Sequence, residues 1–193
     1  LVDQLLLGGS GLSAFAGVKG GTADAMGLSL SGVKFALAML SEQKPAQAGA
    51  NWTAREWTAF TASTSGTVSL QGVSGVTLSA SDVSVLVTRG AADGSFVDFA
   101  AQSLTVQTGT VGTPSSITFD VAASLKEVTR VSGNMTLDVD GFVQISGALS
   151  LEKSTGSVKL GDVAATTGVD ESANAVLVDQ LLLGGSGLSA FAG

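Results

Sequence analysis

The chain of 193 residues contains no Cys, no His and no Tyr, and it carries a formal net charge of −7 with a sequence pI near 4.3. These absences exclude disulfides and thiolate metal sites, and they remove the commonest general base and metal ligand. The acidic balance argues against nucleic acid and against anionic lipid, both of which call for clustered Lys and Arg.

Charged residues make up 13 % of the chain, against about a quarter in an average soluble domain. Gly, Ser, Thr, Ala and Val take their place. β-Branched side chains fit a pleated surface, and small ones let backbone layers approach closely. With only 2 Pro, hydrogen-bonded ladders would rarely be interrupted. The composition predicts an all-β fold.

In chain order, the first turn signals are Gly20-Gly21 and Lys44-Pro45. Between them, Phe35 to Leu40 is the longest apolar patch, far below the roughly 18 residues of a membrane-spanning helix, so no span is expected. Residues 51–62 (NWTAREWTAFTA) are the one stretch that fits a short helix. From Gly75 to Val87 the chain alternates apolar and polar residues, with a change of phase near Ser81-Asp82, as at a bend or bulge. A turn at Ala92-Asp93-Gly94 follows. Ser103 to Gln107 and Ser115 to Asp120 read as short strands around a turn at Gly112-Thr113-Pro114. In 134–154, Met135, Leu137 and Val139 alternate with polar partners, and Phe142 restarts the pattern.

Residues 1–17, LVDQLLLGGSGLSAFAG, recur unchanged at 177–193. Such a match at a fixed offset of 176 residues is the signature of a tandem array. We therefore expect 1–176 to be one full period and 177–193 the start of the next, with both ends cut from a longer chain. Within the period, segments opening with Gly and an apolar residue begin at Gly11, Gly32, Gly75 and Gly141. Their spacings lie near multiples of about 22 residues. This echo predicts a parallel β-solenoid with coils of about 22 residues, advancing about 38 Å per period at about 4.8 Å per coil. The alternative is an antiparallel β-sandwich, one bead per period.

Candidate chemistry is sparse. Asp138 and Asp140, in the run DVDG, lie two apart, so on a strand they share a face and supply two of the oxygen ligands a calcium ion wants. No Glu completes a twelve-residue calcium loop, and a solvent-facing pair beside a bend is the competing reading. Calcium is the one cofactor considered. Asp170-Glu171, in the polar stretch TTGVDESAN, reads as an exposed loop. Trp52, Trp57 and Phe60 form the only aromatic cluster. Exposed, it would stack on sugar rings or anchor a neighbouring chain; buried, it plugs one end of the fold. Arg55-Glu56, Lys126-Glu127 and Glu152-Lys153 are adjacent opposite charges, as Glu42 and Lys44 are near ones. On strands, adjacent residues face opposite sides, so these read as edge or corner charges that resist sideways pairing. Carboxylates for glycoside hydrolysis are present in number, but no spacing fixes a pair. No catalytic residue is assigned, and no enzyme is expected.

The segments GGSGLSAFAG, WTAREWTAFTAS and VDGFVQISGALSLEKS resemble repeats of very large bacterial surface or secreted proteins, adhesin-like or filament-forming. The resemblance implies an extracellular array whose partners are neighbouring copies of the same repeat, assembling into a fibre or rod. It supplies no catalytic residues. The expected function is a structural or adhesive repeat module that stacks on its neighbours. The alternative is a carbohydrate-binding or polysaccharide-cleaving β-solenoid.

Overall fold

The computed structural model describes residues 1–49, 51–159 and 175–193. Ten strands account for nearly all its regular structure: β1 (Val2–Val18), β2 (Met26–Glu42), β3 (Glu56–Thr64), β4 (Thr67–Gln71), β5 (Val76–Arg89), β6 (Leu104–Gln107), β7 (Ser116–Phe119), β8 (Val128–Val139), β9 (Val143–Lys159) and β10 (Ala175–Ala192). Eight of them build one sheet in the order β1-β2-β3-β5-β8-β9-β10, with β4 continuing the line of β3 between β2 and β5. β6 and β7 form a separate two-stranded hairpin.

The all-β expectation holds, but the parallel β-solenoid does not. Among the described residues all strand pairings are antiparallel, and neighbours in the sheet are mostly neighbours in sequence. The glycine echo has another origin. Gly11, Gly32, Gly75, Gly141 and Gly187 all have φ between 58° and 76°, a left-handed conformation that penalises any Cβ. Gly75 and Gly141 sit in tight turns before β5 and β9, whereas Gly11, Gly32 and Gly187 lie at irregularities inside long strands. The recurrence therefore marks bends rather than coils. The short helix considered for 51–62 is absent as well: Glu56–Thr64 is strand β3, paired on both sides.

The irregularities line up across the sheet. The β1–β2 register shifts between Gly9 and Ala14, β3 gives way to β4 opposite Ser31, β5 shifts between Ser81 and Ser84, and β10 shifts between Ser186 and Ser189. Side chains hold this crease. The Thr64 hydroxyl donates to Ser31 O, Ser31 Oγ accepts from Thr67 N–H at 3.2 Å, and Asn134 Nδ2 donates to Asp82 Oδ2 at 2.9 Å. Asp82 itself has φ 52°. A bulge adds a residue to one strand only, so the strand bends there. The phase change expected at Ser81-Asp82 is one segment of this line.

The core is small and lies on one face. Ala36, Ala38 and Leu40 of β2 and Ala59 of β3 are buried beneath Phe99, Val106 of β6 and Phe119 of β7. The alanines leave room for the hairpin to approach the sheet closely, and Phe99 and Phe119 pack with ring centroids 5.6 Å apart. Trp57, Val97, Leu104 and Ile117 border the cluster. Phe119 is only 2 % exposed. Phe119→Ala is therefore expected to lower the unfolding free energy by about 3–5 kcal/mol. Leu151→Ala, on the open face of β9, should cost a small fraction of that, both read from urea unfolding midpoints.

Candidate functional site

A strand offers two hydrogen-bonding edges, because successive residues point their N–H and C=O groups alternately to either side. The two outermost strands, β1 and β10, are built from the two copies of the 17-residue segment. Each is paired on one edge, and among the described residues no strand pairs with its other edge. Those two free edges are the candidate site.

The two copies bond through opposite edges. Gln43 N–H donates to Leu1 O at 3.0 Å. The register Val2↔Glu42 to Gly9↔Phe35 then directs the backbone groups of Leu1, Asp3, Leu5, Leu7 and Gly9 towards β2. In β10, Gly193 N–H donates to Phe142 O at 3.0 Å. Following the register back across the bulge at Gly187 directs Val178, Gln180, Leu182, Gly184 and Ser186 towards β9. These are the counterparts of Val2, Gln4, Leu6, Gly8 and Ser10, whose backbone groups face away from β2. Each copy thus uses the edge that the other leaves open.

The residues singled out from sequence fall elsewhere. Trp57 lies on the covered face: its indole N–H donates to Ser95 O at 3.0 Å, and the Arg55 guanidinium stands 5.5 Å from its ring centroid. Phe60 points to the opposite face, where its ring lies 6.4 Å from that of Phe35. Trp52 is half-buried in the segment before β3. The three aromatics therefore do not form one surface.

Asp138 and Asp140 do not share a strand face. Asp138 is in β8, and its Oδ1 accepts the Gly141 N–H at 3.0 Å. Asp140 is beyond the strand end, with φ 49°. Among the described residues, no three His, Cys, Asp or Glu side chains gather in a way that would hold a metal ion. Asp170 and Glu171 lie outside the described residues. Among the described residues, no helix is long and apolar enough to cross a membrane.

The charges do form ion pairs, across strands rather than along them. Arg55 meets Glu42 in a two-pronged contact at 2.8 Å, with Nε to one carboxylate oxygen and Nη2 to the other. Arg130 of β8 meets Glu152 of β9 at 2.7 Å, in direct register. Spacing along the chain could not reveal them, because the partners are 13 and 22 residues apart. Hydrogen bonding from Arg55 holds the Glu42 carboxyl below the usual carboxylate value, and Arg130, with help from Ser154, does the same for Glu152. Hydrogen bonds from Ser95 lower Asp93 similarly.

A carboxyl with a lower pKa folded than unfolded favours folding above its unfolded value, and that contribution disappears as pH falls through the folded value. Stability should therefore stay level from neutral pH down to about 5 and decline below about 4.5. The loss should be modest, because these pairs touch solvent. Arg130→Gln should flatten part of the acid limb in urea midpoints measured from pH 7 to 3. An unchanged acid limb would remove Glu152 from that account. No family model matches the chain, and neither a curated protein nor a solved structure matches it.

Proposed function

We propose that the chain is a structural repeat module of an extracellular bacterial fibre or giant surface protein, in which residues 1–176 form one unit and 177–193 open the next. One observation carries this reading: an unchanged 17-residue segment supplies both outer strands of a single sheet, each bonded through the edge the other leaves free. Repetition of a whole period, of which the 17 recurring residues are the visible part, would give length, which a stalk, spacer or filament needs and an active site does not. The extracellular and adhesive parts of the reading rest on the resemblance of the GGSGLSAFAG, WTAREWTAFTAS and VDGFVQISGALSLEKS segments to repeats of large bacterial surface proteins.

A sugar-binding role has less support. Trp57 is anchored to Ser95 beside the core, and Phe60 faces the other way. A glycosidase has less still, since Glu42 and Glu152 are each tied to an arginine.

Electron microscopy of the same protein with several successive periods tests the proposal. The expected images are stiff rods whose length rises by one constant increment per period. Globules strung on flexible linkers, with scattered spacings, would overturn it.

A further inference from the structure

We infer that a second copy of this chain docks on β10: its residues 26–43 pair with the free edge of β10, and its Gln107–Thr108 settle over Gly184 and Ser186. The inference rests on the structural-repeat reading and names the joint between successive units.

The two copies of the strand differ in what covers them. In β1, a Cβ placed on Gly8 would collide with the backbone oxygen of Gln107 and stand 2.9 Å from Thr108 Cγ2. Ser10 Oγ donates to Thr108 O at 2.9 Å. Thr108 is buried there, at 6 % exposure. In β10 the equivalent face is bare. Among the described residues, nothing lies within 4 Å of a Cβ placed on Gly184. Gly184 and Ser186 instead line an open groove of about 390 Å³ with Asp82, Ser132, Asn134 and Ser150. A glycine and a serine of unchanged sequence thus receive a backbone segment in one copy and face open space in the other.

Edge and face point to the same occupant. β2 is the strand that the Leu1, Asp3, Leu5, Leu7 and Gly9 edge accepts in β1, and in β10 that edge is free. The hairpin segment carrying Thr108 packs over β2, so it arrives with that strand. β10 would then be both the last strand of one unit and the first of the next. Six strand spacings separate β1 from β10 in the sheet order, so each period adds about 29 Å at about 4.8 Å per spacing. Between separate molecules, the incoming copy must release its own residues 1–17. An identical strand replaces them, so the bonds lost at that slot are the bonds regained.

The chain lacks Cys, so an introduced pair reports register. Two differently tagged full-length chains, one carrying Ser29→Cys and the other Phe191→Cys, are co-expressed and then oxidised. Ser29 stands opposite Phe15, the counterpart of Phe191. The expected disulfide yield is at least about ten-fold above that of a Leu183→Cys chain, whose counterpart Leu7 sits opposite Leu37. Leu5→Pro in the Ser29→Cys chain removes an N–H directed at β2, loosens that chain's own first strand, and should raise the yield. Gly184→Ala in the donor should cut the yield about ten-fold and leave the donor's own unfolding midpoint unchanged, whereas Gly8→Ala should lower that midpoint. A Phe191→Cys yield no better than that of Leu183→Cys, or a yield indifferent to Gly184→Ala, overturns the joint. The Gly184→Ala comparison decides even if the Leu5→Pro chain does not fold. Rods with a constant increment but no register-specific disulfide would keep the repeat reading and remove this joint.

Discussion

Hydrogen-bond demand at the sheet's two lateral edges is the constraint on which this structure turns. Backbone N–H and C=O groups in a strand need partners on both sides, and an open edge is a template for another strand. A thick core could dominate such a fold, but here it amounts to a hairpin resting on a few alanines and a leucine. The long strands are therefore held chiefly by their ladders. The outermost positions on both sides go to one and the same segment.

The two faces of the sheet are unequal. Ala36, Ala38 and Leu40 of β2 point to the hairpin, whereas Phe35, Leu37 and Met39 point the other way, so the strand is apolar on both sides. The apolar run at Phe35 to Leu40 is explained by this double duty. On the open side, Leu5, Leu7, Met39, Val131, Leu151, Leu181 and Leu183 are all more than a third exposed. A contiguous apolar area of that kind is uncommon on a solitary soluble domain.

Much of the strand content was legible in the sequence, because alternation is a local signal. The strands around Val83–Val87 and Met135–Val139, the hairpin at 103–120 and the kink at Ser81-Asp82 all follow from it. The sheet order was not legible. Glycines at regular intervals suggested coils, yet a left-handed φ is needed equally at a hairpin turn and at an in-strand bulge, and residue type does not distinguish the two. Residues 51–62 resembled a helix because Trp57 and Phe60 stand three apart, a spacing that shares one face of a helix; on strand β3 the same spacing sends them to opposite faces. The use of opposite edges by β1 and β10 was also out of reach. Backbone hydrogen-bond direction leaves no trace in side-chain chemistry.

The meander has a mechanical corollary. Its strands run across the direction in which the sheet widens, so the ladder hydrogen bonds lie along that direction. Tension applied between Leu1 and Gly193 enters at opposite ends of the two outer strands, which run the same way. Strands of 17 and 18 residues are longer than the sheet is wide, at about 3.3 Å per residue against about 4.8 Å for each of six spacings, so the pull runs mostly along them. The outer ladders are then loaded in shear, and many hydrogen bonds must give way together. A material built this way holds its length up to a threshold load.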